Sequence, residues 1–190
     1  MSAKSFFIKL DAIRQMYWRG LSMRMSLDSA NGAHLAVIDD PKRIAELIEF
    51  GGNYRPDPLK GKFDATIHPR FVQHKIDTKT YGKTNLDCDD FSMYSCALLL
   101  KNKLADKVWF TTIQWGGDYG GHAFYVYQKG EDFFWGDYGY PVPISDKWAY
   151  VEKVTAIYSK IPAKHTIMFD VIYDEENESV KIRSPEVKVF

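Results

Sequence analysis

The stretch Leu86-Asp87-Cys88-Asp89-Asp90-Phe91 constrains the fold of this chain more than any other. Aspartate is a favoured N-cap because its carboxylate accepts from N–H groups two or three residues on. Acidic residues in a first turn also face the positive end of the helix dipole. From Cys88 to Leu100 no Gly or Pro interrupts, and Phe91, Tyr94 and Leu98 recur at helical spacing. The pattern predicts a helix from Cys88 that ends between Lys101 and Asp106, with Lys101 and Lys103 suited to its negative end. It thereby sets a cysteine where helix-terminal N–H groups converge, a setting that lowers a thiol pKa and can hold an oxyanion.

Strand patterns follow this helix. Val108–Trp115, His122–Tyr127 and Asp132–Trp135 are rich in β-formers. Glycines turn the chain between the first two, and Lys129-Gly130-Glu131-Asp132 reads as a hairpin turn. Ser145 or Asp146 predicts the start of a helix through about Ser159, closed by Pro162. Thr166–Tyr173 and Ser179–Arg183 read as a closing hairpin, with Val187–Phe190 as one more short strand.

Upstream of Cys88 the reading is coarser. Phe6, Phe7, Leu10, Ile13 and Tyr17 predict a helix near 6–18, and Asn31-Gly32 marks a loop. Leu35–Ile38 reads as a short strand or a connection. Asp40-Pro41 opens a helix that Gly51-Gly52 stops near Phe50. Residues 53–87 read as a long irregular segment, with Phe71–Ile76 as a short helix or strand, and loops of that length are commonly functional. A nucleophile-bearing helix followed by an antiparallel sheet is an α+β arrangement. At 190 residues the expectation is a single domain over 1–190, with 1–40 as an N-terminal helical appendage.

Lys+Arg and Asp+Glu balance at 25 each, so no net charge draws the chain to nucleic acid or an anionic membrane. Residues 1–26 carry charges within their apolar part, unlike a signal peptide, and no stretch approaches a transmembrane length. The expected location is therefore cytoplasmic. If both cysteines lie on one helix, Cys88 and Cys96 stand about 12 Å apart along its axis. A disulfide requires Cα atoms within roughly 7 Å, so both should be thiols, with Cys96 in the core.

Cys88, His122 and Asp137 together make a Cys-His-Asp arrangement: a thiol, a base to take its proton, and a carboxylate to orient the base. With the hairpin centred between Lys129 and Gly130, His122 and Asp137 would face each other directly, with Cβ atoms roughly 5 Å apart. Asp87, Asp89 and Asp90 raise a conflict, because carboxylates beside a thiol raise its pKa. Either partners neutralise them, or a hard cation such as calcium binds there. His34, His68, His74 and His165 show no metal-ligand spacing, and no cofactor is expected.

These motifs resemble the transglutaminase-like superfamily of papain-fold thiol enzymes, most of all the bacterial and phage transglutaminase-like cysteine proteinases. Asp87-Cys88-Asp89-Asp90-Phe91-Ser92 is similar to the nucleophile motif, Gly121-His122-Ala123-Phe124-Tyr125-Val126 to the histidine motif, and Trp135-Gly136-Asp137-Tyr138-Gly139 to the aspartate motif. The likeness covers about 55–140. It implies a papain-like core with Cys88 as nucleophile, His122 as base and Asp137 as orienter. The implied activity is amide hydrolysis on a protein or peptide, through an acyl-enzyme. Transglutaminase-type acyl transfer, or a binding and assembly module with an idle triad, are the alternatives. Leu86 stands where the family has glycine, and no glutamine lies just upstream of Cys88 to serve as a papain-type oxyanion donor.

Overall fold

In the computed structural model, residues 3–26, 32–51, 66–79, 86–115, 121–159 and 161–190 are described. Six strands form one antiparallel sheet in the order β4-β3-β2-β1-β5-β6. They are β1 (Lys107–Trp115), β2 (Gly121–Lys129), β3 (Asp132–Gly136), β4 (Val142–Ile144), β5 (Ala163–Asp174) and β6 (Ser179–Val189). Four helices precede the sheet: α1 (Ala3–Ser26), α2 (Lys42–Gly51), α3 (Pro69–Thr78) and α4 (Cys88–Lys101). The fifth, α5 (Tyr150–Tyr158), lies between β4 and β5. Mixed α and β content with a helix laid on an antiparallel sheet is the arrangement expected from the sequence.

Strand alternation divides the core in two. Val108, Phe110, Ala123, Tyr125, Tyr127, Ile167 and Phe169 point to the face covered by α4. Trp109, Ile113, Phe124, Val126, Trp135 and Met168 point to the other, where α5 adds Tyr150, Val151 and Val154. Helix α4 is the centre of the larger half: Asp89 through Leu99 are all buried. A helix with no solvent face is held by tertiary packing rather than by propensity. Its C-terminal Lys101 donates to Leu35 O at 2.7 Å and to Glu178 in the β5–β6 turn at 2.5 Å.

Several expectations change. The first helix runs from Ala3 to Ser26, longer than its apolar spacing suggested. It enters the core through Ala12 and Met23, so residues 3–26 are part of the main body rather than an appendage. Phe71–Ile76 lies within the helix α3, capped by His68 Nδ1, which accepts from Arg70 N at 3.2 Å. Residues 35–38 form a connection, not a strand. Helix α5 starts at Tyr150, because Asp146 instead caps a preceding turn by accepting from Trp148 N at 2.7 Å. Val187 belongs to the single long strand β6, and β4 is a strand the sequence did not announce. Asn31, most of the irregular segment upstream of Cys88 (52–65 and 80–85), and the turn at 116–120 lie outside the described residues. Among the described residues no helix is long and apolar enough to cross a membrane.

Candidate active site

Helix α4 begins at Cys88 as its sequence predicts. Asp87 is the N-cap, in extended conformation, and its Oδ1 accepts from Asp89 N at 3.3 Å. Asp90, three residues on, closes a capping box by accepting from Asp87 N at 3.3 Å. Its other oxygen accepts from Ile67 N at 2.6 Å. Cys88 is half-buried in the first position of the helix.

The third carboxylate answers the conflict noted in the sequence. Asp89 is buried and bonded to the guanidinium of Arg19, which comes from α1 and is itself 2% exposed. Thr66 donates to the same Asp89 oxygen and accepts from Arg19 Nη1 at 2.6 Å. The guanidinium also lies 4.9 Å from the centre of the Phe110 ring. Burial opposes ionisation of Asp89. The Arg19 charge, with the side-chain contact to Asp87 and hydrogen bonds donated by Thr66 and Arg19, outweighs it and holds the carboxyl below its ordinary range. Asp87, Asp89 and Asp90 each offer an oxygen, all within 4.8 Å of one another. This set suits calcium poorly: a hard cation takes six to eight oxygens, and Asp89 already holds a buried guanidinium. For Asp89 the geometry provides partner neutralisation by Arg19, while Asp87 and Asp90 are held by backbone N–H groups.

His122 and Asp137 meet. His122 Nε2 lies 2.9 Å from Asp137 Oδ2, and both side chains are 8% exposed. They do not meet by the register expected. The pairs Lys129↔Asp132 and Tyr125↔Gly136 place the hairpin turn at Gly130-Glu131. Asp137 then lies one step past the last pair, level with Phe124 rather than His122. The register is displaced by two residues, and two steps leave a side chain on its own face. The side chains therefore reach each other diagonally, at the end of the hairpin.

The close approach of Tyr125 to β3 shapes this end. A Cβ on Gly136 would lie 2.2 Å from the Tyr125 ring, so only glycine fits beside Asp137. Tyr138, the residue after Asp137, connects the two halves of the site. Its ring stands edge-on to Phe91 of α4 at 6.0 Å and 5.8 Å from the His122 ring. His122 also stacks at 6.2 Å on Phe124, which faces the α5 side of the sheet. The imidazole thus sits at the margin of the sheet, reached from α4 through Tyr138. Cys88 is three residues before Phe91, one turn earlier on the same side of the helix.

The structure therefore brings His122 and Asp137 into direct contact, and places the first turn of α4 and His122 against a common tyrosine. Sequence reasoning did not single out Arg19, Thr66 or Tyr138. Tyr138 lay within a recognised motif. Arg19 gave one signal, a long basic side chain in a helix with apolar residues on every side. Of the long segment 53–87, residues 66–79 and 86–87 are described, and the turn at 116–120 is not. Of the remaining histidines, His34 lies 2.6 Å from Glu178, and His68 caps α3, where burial with the nearby Arg70 charge lowers its pKa to about 4. No family model, curated protein or solved structure matches this chain.

Proposed function

We propose that this protein is a thiol-dependent amide hydrolase, most simply a cysteine peptidase, with Cys88 as nucleophile, His122 as general base and Asp137 as orienter. The observation that carries the reading is the buried His122–Asp137 contact, joined through Tyr138 to the helix that begins with Cys88. Because Asp137 engages Nε2, Nδ1 is the atom that exchanges a proton with the thiol. Asp137 holds the ring in that tautomer and stabilises the imidazolium. Arg19 offsets the charge of Asp89, one of the three carboxylates at the helix start, and the helix dipole favours a thiolate at Cys88.

In the reaction, Cys88 Sγ attacks the substrate carbonyl while His122 takes the thiol proton. The Cys88 N–H at the helix terminus faces the developing oxyanion. His122 returns the proton to the departing amine, and a thioester remains on Cys88. Water, deprotonated by His122, then releases the acid and restores the thiol. Transfer of the same thioester to an amine would be transglutamination, and a papain-like core for the whole fold belongs to the same proposal.

The test is the pH dependence of Cys88 alkylation by iodoacetamide, in the native chain and in His122→Ala. Reaction well below pH 8 that the variant loses establishes the thiolate–imidazolium pair. Titration near 8.5, the ordinary thiol value, in both proteins rejects the triad and favours a binding module.

A further inference from the structure

Helix α1 has two apolar faces. One carries Ala12, Arg19 and Met23 and is buried in the α4 side of the core. The other carries Phe6, Phe7, Leu10, Ile13, Tyr17 and Leu21, with Trp18 on its flank, and these seven are between 43% and 71% exposed. The residues whose spacing announced the helix are therefore the ones it turns outward. A helix that is apolar on opposite sides is the pattern of a helix covered on both.

The size of this face bears on what covers it. Long aliphatic and aromatic side chains carry roughly 150–250 Å² each. Seven of them about half exposed leave about 700 Å² of apolar surface, against roughly 800 Å² per partner in a standard interface. The largest patch on an ordinary monomer is about 300–600 Å². The order of residues is also symmetric about its middle. Laid antiparallel against a copy of itself, the helix sets Phe6 opposite Leu21 and Leu10 opposite Tyr17, with Ile13 beside the two-fold axis. In the same register Phe7 falls level with Gly20, which has open space around it, and two positions from Trp18 on its own flank. Arg14, the charged residue within the stripe, is already paired with Asp11 of its own helix at 2.9 Å. A self-complementary patch of this kind is what an isologous dimer requires.

We infer that the outer face of α1 is a dimerisation surface, and that its partner is α1 of a second copy, packed antiparallel about Ile13. The inference is independent of the proposed chemistry, since this face is opposite the one that delivers Arg19 to Asp89.

Sedimentation equilibrium on the full chain tests it. The native protein should weigh twice the 22.0 kDa of one chain at micromolar concentration. The variant Leu10→Glu/Tyr17→Glu should be monomeric, its dimer dissociation constant raised at least about 30-fold. Its circular dichroism should be unchanged, because both side chains are exposed. In a Cys88→Ser background, Ile13→Cys should form an intermolecular disulfide readily and Phe6→Cys should not. A monomeric native protein, including one that instead binds lipid vesicles, overturns the inference. A dimer that survives the double substitution overturns it too, and so does Phe6→Cys cross-linking as well as Ile13→Cys.

Discussion

Cys88 and Cys96 lie on the same helix, two turns apart, and differ in nearly everything that governs a thiol. Cys96 is fully buried in the same core cluster as Tyr125, and burial pushes its pKa far above the ordinary range. It is a small apolar side chain, held protonated. Cys88 is half-buried at the helix terminus, next to a capping box and a buried ion pair, and one turn before Phe91, whose Tyr138 neighbour also touches His122. The contrast teaches that position along a helix outweighs residue type. Mid-helix, the N–H groups are spent on the backbone ladder. At the first turn they are available, and the surrounding side chains decide which charge they favour.

The largest disturbance to this contrast should come from Arg19→Met. It leaves Asp89 buried without its counter-charge, a loss of about 3–5 kcal/mol in urea denaturation. Adding Asp89→Leu should recover most of that loss, since a buried ion pair and a well-packed apolar pair are nearly equivalent. If the single variant unfolds at the native urea concentration, the pair does not support the Cys88 end as described.

Gly136→Ala should follow, at about 1–3 kcal/mol, because its methyl group collides with Tyr125. As Gly136 precedes Asp137, the same variant should slow Cys88 alkylation near neutral pH while leaving Cys96 unreactive. Unchanged stability would mean that the tyrosine ring moves aside at no cost.

The two thiols can then be compared by one substitution. Cys96→Ser should cost about 1 kcal/mol, because a hydroxyl is buried where an apolar group stood, and should leave Cys88 alkylation intact. Cys88→Ser should cost less than about 0.5 kcal/mol and abolish labelling. Equal costs at both positions would remove the distinction between them.

The last comparison is a control on pH. His68 carries a pKa of about 4 in the folded chain against 6.5 in the unfolded one. The unfolded chain binds the extra proton between those values, so stability is full above pH 6.5 and falls as pH drops toward about 4. His68→Asn keeps a capping acceptor for α3 and should flatten that slope in thermal melts at successive pH values. A slope that persists belongs to other groups. With it removed, the alkylation profile of Cys88 reports on the Cys88–His122 pair.

The start of α4 was legible because every signal for it is local: a capping aspartate, acidic residues in the first turn, an uninterrupted apolar repeat. The three central strands were legible for the same reason. Asp146 misled the start of α5 because a capping aspartate serves a turn as readily as a helix. The hairpin register came out two residues off because the turn centre moved by one, from between Lys129 and Gly130 to between Gly130 and Glu131, and each step of the centre shifts the pairing by two. The face survived the error, since strand alternation has period two, and so did the pairing of His122 with Asp137.

By itself, the sequence determined what adjacent residues decide together: the helix beginning at Cys88, the three strands that follow it, and the presence of a thiol, an imidazole and a carboxylate in three short motifs. Tertiary structure alone decided which distant groups complete them. Arg19 reaches Asp89 across 70 residues of chain, and Tyr138 reaches Phe91 across 47. It also decided that the stripe announcing α1 faces outward. Periodicity reports that a face is apolar, but burial depends on what the rest of the chain brings against it, and here the core took the side that carries the arginine.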